Sequence, residues 1–333
     1  MKTFYLILLS TIVGTAYAQE ETNACTATAD QSLVACNSAA ETAKETAYAA
    51  CENSAERDTC RAEADTNQAS AKVQCEAQNT AQKAACGKLG EAAYDPQIDP
   101  ANFSATVTNP YFPLTAGTTW TYAGTTEDGA AVTVEREVSD ETKDIMGVTC
   151  TGVKETEKQG EDTVRETIEW YAQDNEGAVW LFGRNNQELD GDEVTSIDGS
   201  FVAGEEDAKP GIIMKATPAV NDVYRQEYVI QESEGVGEVL SISETLNVPA
   251  GNFTNVVKTN DTDALMPDEV KNTFYASGVG PISITVVDGT EKLELQSVTP
   301  APTPTPTPDD GTGQGEEAPT PTPTPTPTPL ASF

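Results

Sequence analysis

Residues 25–86 read CTATADQSLVACNSAAETAKETAYAACENSAERDTCRAEADTNQASAKVQCEAQNTAQKAAC. Six cysteines divide this stretch into gaps of 11, 15, 9, 15 and 11 residues, so the spacing is the same from either end. Pairing from the outside inwards would join Cys25 to Cys86, Cys36 to Cys75 and Cys51 to Cys60. Six cysteines allow many connectivities, and symmetry selects this one only if the backbone geometry supports it.

Helix geometry supports the nested pairing. No Gly or Pro occurs between Glu20 and Cys86, and Ala is abundant, so the stretch is typical of helix. At about 100° per residue, gaps of 11 and 15 return close to the same side of a helix, and the cysteines form one stripe. A turn near Ser54–Asp58 brings the two halves of the stripe together. The sequence therefore predicts an antiparallel helical hairpin closed by three nested disulfides.

The predicted helices have few apolar side chains besides alanine and cysteine. They are Leu33, Val34, Tyr48 and Val73. Burying so little apolar surface cannot offset the conformational entropy that is lost when two helices become ordered. Disulfides, by contrast, contribute about 2–4 kcal/mol each to the stability of the folded chain. Two alternatives are weaker. Thiolate metal ligands rarely stand so far apart in an oxidising compartment, and sequential pairing would join cysteines too distant on a straight helix.

The N-terminus indicates export. Lys2, an apolar run over residues 4–13 and Ala16-Tyr17-Ala18 are typical of a secretory signal peptide over residues 1–18. The apolar run is shorter than the about 20 residues of a membrane span, and no later run reaches that length. The expected layout is a signal peptide (1–18), the hairpin (19–92), a β domain (93–298) and a Thr-Pro stalk (299–333).

Charge and composition exclude several functions. The net charge of −35 argues against nucleic acids and anionic membranes as partners. With no histidine, the chain cannot form Ser-His-Asp or Cys-His triads, and most catalytic zinc sites are excluded. No nucleotide-binding motif occurs, so no cofactor is predicted. Carboxylate-pair chemistry such as glycoside hydrolysis stays open.

The composition changes after Gly87, where β-branched and aromatic residues begin to alternate with polar ones between turn signals. No long helix separates the runs, so the sheet should be antiparallel: a curved sheet, a barrel or a sandwich. The fold class is thus α+β. The predicted strands are Thr118–Tyr122, Ala131–Val138, Val148–Lys154, Thr163–Tyr171, Ala178–Phe182, Val223–Ile230, Glu238–Val248, Asn255–Thr259, Asn272–Ala276, Pro281–Val287 and Lys292–Val298.

Several blocks of this region resemble a known family. They are NPYFPLTAGTTWTY (109–122), WYAQD (170–174), VWLFG (179–183), KPGIIM (209–214) and YRQEY (224–228). Together they are similar to a β-rich secreted domain of uncharacterised bacterial exported proteins and lipoproteins. The resemblance covers about residues 96–298 and implies no activity and no functional residue.

The aromatic residues of this region suit either a sheet core or a pocket for an apolar ligand or a sugar, and core is favoured. They are Tyr111, Phe112, Trp120, Tyr122, Trp170, Tyr171, Trp180 and Phe182. Cys150 is the odd cysteine. A buried free thiol is the preferred interpretation over an intermolecular disulfide.

Two acidic turns are weak candidates for Ca²⁺: Asp190, Asp192 and Glu193 in one, and residues 205–207 in the other. Neither matches a defined calcium loop, so solvated turns are favoured. Three sequons, at Asn102, Asn252 and Asn260, could carry N-glycans in a eukaryotic secretory route.

Residues 299–333 alternate Thr and Pro around a short acidic segment. This pattern predicts a disordered, extended polyproline II stalk and is typical of O-glycosylated spacers. The whole chain is interpreted as a secreted, non-enzymatic structural or interaction protein of the cell surface, wall or extracellular matrix, with matrix or wall components, glycans or Ca²⁺ as partners. Two alternatives are a carrier of a small apolar ligand and a carboxylate-dependent glycan hydrolase. The oligomeric state is left open.

Overall fold

Two long antiparallel helices form the N-terminal hairpin: α1 spans Ala24–Cys51 and α2 spans Arg57–Leu89. The computed structural model describes residues 23–300, so the predicted signal peptide and the stalk beyond residue 300 lie outside the described residues. The Asn23 side chain caps α1 by accepting a hydrogen bond from the Thr26 N–H at 2.9 Å. Within residues 23–300, neither helix combines the length and apolarity needed to cross a membrane.

Three disulfides hold the two helices together. They join Cys25 to Cys86, Cys36 to Cys75 and Cys51 to Cys60, with Cα–Cα distances of 5.7, 5.8 and 5.7 Å. Apart from these cysteines, the buried hairpin residues are small or polar: Ala29, Ser32, Ala40, Ala64, Asn79, Gln82 and Ala85. The predicted disulfide-stapled hairpin is confirmed, and it has the thin core that its composition indicates.

Residues 103–299 form sixteen strands. The strands are β1 (Phe103–Ser104), β2 (Thr119–Thr125), β3 (Ala131–Ile145), β4 (Val148–Gln159), β5 (Asp162–Asp174), β6 (Val179–Asp190), β7 (Glu193–Ser196), β8 (Phe201–Val202), β9 (Lys209–Met214), β10 (Val223–Arg225), β11 (Glu227–Tyr228), β12 (Gly235–Val248), β13 (Gly251–Asp263), β14 (Met266–Ala276), β15 (Gly280–Val286) and β16 (Lys292–Thr299). A 3₁₀ turn, Pro100–Asn102, precedes β1.

The strands pair antiparallel in the order β10-β12-β13-β14-β15-β16-β2-β3-β4-β5-β6-β9-β11. The two ends of this order meet because β10 and β11 are consecutive in the chain: β10 pairs with β12, and β11 pairs with β9. Gly211 in β9 permits the chain between β10 and β11 to come close, because a Cβ at residue 211 would stand only 2.4 Å from the Gln226 carbonyl carbon. The sheet is therefore a nearly closed antiparallel barrel, and the predicted α+β fold class is confirmed.

Alternating side chains build two cores on opposite faces of the sheet. The inner core fills the barrel and includes Trp120, Tyr122, Leu181 and Met214. A smaller outer core lies on the other face of β4–β6, where Cys150 and Phe182 are fully buried.

Some strands differ from their predicted limits. β3 continues to Ile145 because Met146 and Gly147, with φ of 53° and 78°, form a tight turn that matches strand twist. The predicted strand Val223–Ile230 is divided into β10 and β11 where the chain changes partner. The pattern did not mark β9, because Pro210 and Gly211 interrupt its apolar residues.

The hairpin is fixed to the barrel through α2. Gln82 donates a buried hydrogen bond of 2.8 Å to the Glu234 carboxylate, and Gln78 donates one of 2.8 Å to the Leu265 carbonyl. Lys88 pairs with Glu238 at 2.5 Å. The hairpin and barrel lie in one compact unit.

Candidate functional site

The acidic residues considered for Ca²⁺ lie apart from any cluster of ligands. Asp190, Asp192 and Glu193 are exposed at the β6–β7 turn. No group of three or more Cys, Asp or Glu residues within 23–300 is arranged to hold a metal ion. The structure therefore gives these three residues no support as a calcium site.

The sequons differ in accessibility. Asn102 in the 3₁₀ turn and Asn252 in β13 are exposed, whereas Asn260 is half-buried within β13. Asn102 also accepts a hydrogen bond of 3.2 Å from the Asn175 amide. A glycan would fit most easily at Asn252, which makes no such contact with a neighbouring side chain in the described part of the chain.

Most of the aromatic residues serve the cores. Phe112, Trp120, Tyr122, Tyr171 and Phe182 are buried. Three others, Tyr111, Trp170 and Trp180, are half-buried, so part of each ring faces solvent or a cleft. Cys150 is a buried free cysteine, and burial raises the pKa of its thiol to about 12, which keeps the thiol unreactive.

Trp170 lines a large cleft of the barrel surface, which we call the outer groove. It has a volume of about 410 Å³, with a floor that includes Ile168, Trp170, Val202 and Val229 and a rim that includes Lys143, Asn185, Glu205 and Glu206. That volume is in the range of small-ligand sites. Apolar floor and polar rim together suit a ligand that has both C–H faces and hydroxyl edges.

The Trp170 ring lies flat on the sheet because its neighbour across β4 and β5 is Gly152. A Cβ at residue 152 would stand only 2.8 Å from Cζ3 of the ring, so any larger residue would displace it. The Lys143 ammonium lies 5.7 Å from the ring centroid. The ring is thus a planar surface whose position is fixed by the backbone beneath it.

The rim is held by a strained loop. The Gly204 N–H donates to the Ala208 carbonyl at 2.8 Å, and this closes the loop that carries Glu205 and Glu206. Glu206 and Asp207 have φ of 49° and 64°, a conformation that is unfavourable for residues with a Cβ. Such strain often marks a segment that must present side chains in one arrangement.

A second polar feature lies on the inner face of the barrel. Glu169 pairs with Arg184 at 2.9 Å and with Arg136 at 3.6 Å, and it accepts a hydrogen bond from the Tyr171 hydroxyl. Burial alone would raise the pKa of Glu169, but the two arginines and Tyr171 lower it. Burial raises the pKa of nearby Glu155.

Opposite pKa shifts on two neighbouring carboxyls are a feature of glycosidase acid–nucleophile pairs. In this barrel, however, both oxygens of Glu169 are engaged, one by Arg184 and the other by Tyr171. Because neither oxygen is left to attack a substrate, the arrangement suits a structural ion pair.

Sequence patterns indicated Trp170 and the acidic turn at 205–207, but not Asn185 or Ser200, which also line the groove. Asn185 and Ser200 are ordinary polar residues of a strand and a turn, and no local signal separates them from other exposed residues. Asn185 lies near Trp170 because β6 pairs with β5, and Ser200 joins them because β8 pairs with the middle of β6.

No protein-family model and no curated protein matches this chain. Among solved structures, a candidate exported protein with a YmcC-like fold from Bacteroides fragilis is 13% identical with a TM-score of 0.34; the match covers 57% of this chain and 99% of that one. A candidate lipoprotein from Parabacteroides distasonis is 13% identical with a TM-score of 0.31, covering 57% of this chain and 98% of that one. Likeness at this level transfers no function.

Proposed function

We propose that this chain is a secreted, non-enzymatic interaction protein of the cell surface, wall or matrix that binds neutral glycans in the outer groove. The observation that carries the proposal is the flat, half-buried Trp170 ring on the floor of that groove. The three disulfides support an extracytoplasmic location, because such bonds persist in oxidising compartments.

A flat indole ring suits a sugar for an electrostatic reason. The face of an aromatic ring carries partial negative charge, and the C–H groups on one side of a pyranose carry partial positive charge. The ring therefore supports a sugar by its face, over an area that a small aliphatic residue could not offer. Fixing the ring on Gly152 lowers the entropy lost on binding.

The rim supplies the hydrogen bonds that hydroxyl groups need. Asn185 offers both a donor and an acceptor, the carboxylates of Glu205 and Glu206 accept, and Lys143 donates. Both charge signs are present, and the chain as a whole is strongly acidic at −35. A neutral glycan fits this rim better than an acidic one, which the negative surface would repel.

Rigid attachment of the hairpin suits a role in assembly. Because Gln82 and Gln78 hold α2 on the barrel, a partner bound to either part is held in a defined orientation toward the other. Enzymatic catalysis does not need a rigidly attached hairpin, whereas a protein that links two surfaces benefits from one.

The test is co-sedimentation of the purified mature chain with insoluble neutral polysaccharides, namely cellulose, chitin and β-1,3-glucan. We expect saturable binding to at least one, with no reducing ends released into the supernatant. Trp170→Ala should lower the affinity by about 10-fold or more, because truncating an aromatic residue at the centre of a binding site typically costs about 2 kcal/mol or more. The matched control, Tyr48→Ala, removes a hairpin aromatic residue outside the groove and should bind like the wild type.

Two results would reject the proposal. One is binding of Trp170→Ala that equals the wild type in a variant whose near-UV circular dichroism shows an intact barrel. The other is release of soluble sugar fragments that depends on a single Asp or Glu, which would make the protein a hydrolase.

A further inference from the structure

A second cavity lies at the end of the barrel where the turns between β2 and β3, between β4 and β5 and between β15 and β16 come together, and we call it the mouth cavity. Its volume is about 170 Å³, close to the roughly 150 Å³ of an apolar protein cavity that holds a benzene ring. It is separate from the outer groove. Its site goes beyond the proposed glycan binding and does not depend on it.

Apolar side chains form one wall of the mouth cavity. They come from the inner faces of three strands: Val132 and Val134 from β3, Ile284 and Val286 from β15, and Leu293 from β16. These strands follow one another in the sheet in the order β15-β16-β2-β3, so hydrogen bonds between strands hold the wall in place before a ligand enters. A preformed wall lowers the entropy lost on binding, and this one suits a small apolar body.

Glu155 supplies the inner polar group of the cavity. It lies two residues after Val153 on the core face of β4, so its carboxyl points into the barrel. Within residues 23–300 the carboxyl accepts no hydrogen bond, and neither oxygen is one of the fully buried atoms that lack a partner. Both oxygens are therefore accessible from the cavity. Burial raises the pKa of Glu155 although two arginines lie nearby, which indicates that its negative charge is not fully compensated.

Each cationic side chain around the cavity already lies beside another carboxylate. The pairs are Arg136 with Glu169, Arg165 with Glu157, Lys271 with Asp261 and Lys292 with Glu294. These four pairs carry no net charge, so Glu155 is left as an accessible carboxylate without a counter-ion in the described part of the chain. Glu291 adds a further negative charge at the rim. A ligand with one positive charge supplies the missing partner.

We propose that the mouth cavity binds a small organic ammonium ion with an apolar body. The ammonium N–H groups donate to the Glu155 carboxylate, and hydrogen bonds between two charged groups are the strong ones. The apolar body lies against the wall that Val134, Ile284 and Leu293 help to form, where it is removed from water.

Other ligand classes fit less well. A neutral apolar molecule would cover the wall but leave the Glu155 carboxylate without a partner. An inorganic cation would leave the apolar wall uncovered, and no group of three or more Cys, Asp or Glu residues within 23–300 is arranged to hold a metal ion. An anion would meet Glu155 and Glu291. The sequence raised the alternative of an apolar carrier, and Glu155 adds a requirement for a positively charged head group.

Isothermal titration calorimetry of the mature chain with benzylammonium chloride at pH 8 tests the proposal. We expect saturable binding with a Kd on the order of 1 mM or tighter. Benzyl alcohol has the same ring without the charge, and it should bind at least about 10-fold more weakly. Methylammonium carries the charge without the ring and should also bind at least about 10-fold more weakly. Methylammonium binding as tight as that of benzylammonium would overturn the apolar-body part of the proposal.

Two variants make the test specific to the cavity. Glu155→Gln keeps the shape of the side chain but removes the charge, and it should reduce the benzylammonium affinity about 10-fold, to that of benzyl alcohol. The variant should fold, because it removes a charge that has no counter-ion in the described part of the chain. Val286→Phe keeps Glu155 but fills part of the cavity, and it should weaken binding of both ligands. Glu135→Gln is the matched control: it removes the same charge from the exposed face of β3 and should bind normally.

The proposal is overturned by absence of benzylammonium binding up to about 10 mM, some tenfold above the weakest Kd expected. Equal affinities for benzylammonium and benzyl alcohol would also overturn it. So would an unchanged benzylammonium affinity in a folded Glu155→Gln or Val286→Phe variant, or an equal loss of affinity in Glu135→Gln and Glu155→Gln, which would assign the effect to overall charge.

Discussion

Reducing the three disulfides should unfold the hairpin while leaving the barrel folded. The hairpin helices bury mainly alanine and a few polar side chains, so packing contributes little to their stability. The barrel has its own large core and contains a single cysteine, Cys150, which forms no disulfide. The two parts therefore depend on different interactions and should respond differently to a reducing agent.

The size of the effect follows from the loop lengths. The disulfides separate their cysteines by 9, 39 and 61 residues, and they are nested. Taken from the innermost outwards, each bond closes a further loop of roughly 10–30 residues and contributes about 3–4 kcal/mol in the chain-entropy account. All three together contribute about 10 kcal/mol, comparable with the whole stability of a typical domain, about 5–15 kcal/mol.

Two optical signals separate hairpin from barrel. All three tryptophans, Trp120, Trp170 and Trp180, lie in barrel strands, so near-UV circular dichroism reports on the barrel. The two long helices dominate the far-UV signal at 222 nm. After treatment with a phosphine reductant, we expect the helical signal to fall to that of an unfolded segment while the tryptophan signal persists.

A variant that loses one bond provides the control. Cys51→Ser with Cys60→Ser removes the bond at the hairpin tip, which should cost about 3 kcal/mol and leave the helices folded. If the fully reduced protein keeps its helical signal and its urea midpoint, the reasoning is refuted. Contacts with the barrel, such as the Gln82–Glu234 hydrogen bond, would then be what holds the hairpin.

Three further predictions concern the barrel. Cys150, buried with its thiol pKa raised to about 12, should resist iodoacetamide at pH 8 in the native protein and react in urea, as read by mass spectrometry. Glu169→Gln should destabilise the protein by about 3 kcal/mol at pH 7, because it removes the carboxylate paired with Arg136 and one of the two paired with Arg184, which keeps Glu227 at 3.0 Å, whereas Glu155→Gln should be neutral or stabilising. Because the pKa of Glu169 is lowered in the folded state, the stability that this residue contributes is present above its unfolded pKa of about 4.3 and is lost as the pH falls through the folded pKa. Urea unfolding of both variants at pH 7 and pH 4 measures this contribution. Equal losses of stability in the Glu169 and Glu155 variants would contradict the assignment. Gly152→Ala should displace the Trp170 ring and weaken polysaccharide binding, with near-UV circular dichroism showing the barrel intact; full binding by this variant would contradict the platform geometry.

Strand positions could be predicted only in part. Period-2 alternation located β2–β6 and β12–β16, because one face of each strand meets a core and the other meets solvent or the smaller outer core. It did not locate β9, where Pro210 and Gly211 replace the alternating pattern. Gly211 is required by the close approach of β9 to the start of β11, a contact between strands that local sequence does not show.

The candidate sites illustrate the same limit. Trp170 could be named from sequence as one of eight aromatic residues, but the position of its half-buried ring depends on Gly152, which lies eighteen residues earlier on the neighbouring strand. Arg225 stands out in the sequence only as part of the YRQEY block (224–228). Its burial, with the Nε–H left without an acceptor among residues 23–300, is seen only in the tertiary structure.

The sequence by itself determined the stapled hairpin, since helix period and cysteine spacing are local properties, and a palindromic spacing has one simple antiparallel solution. It also determined the antiparallel β class, the acidic surface and the absence of histidine chemistry. Only the tertiary structure decided that the sheet curves into a nearly closed barrel and that α2 lies against it. Barrel closure and the clefts depend on side chains tens to more than a hundred residues apart, and their meeting is set by global packing that no local pattern encodes.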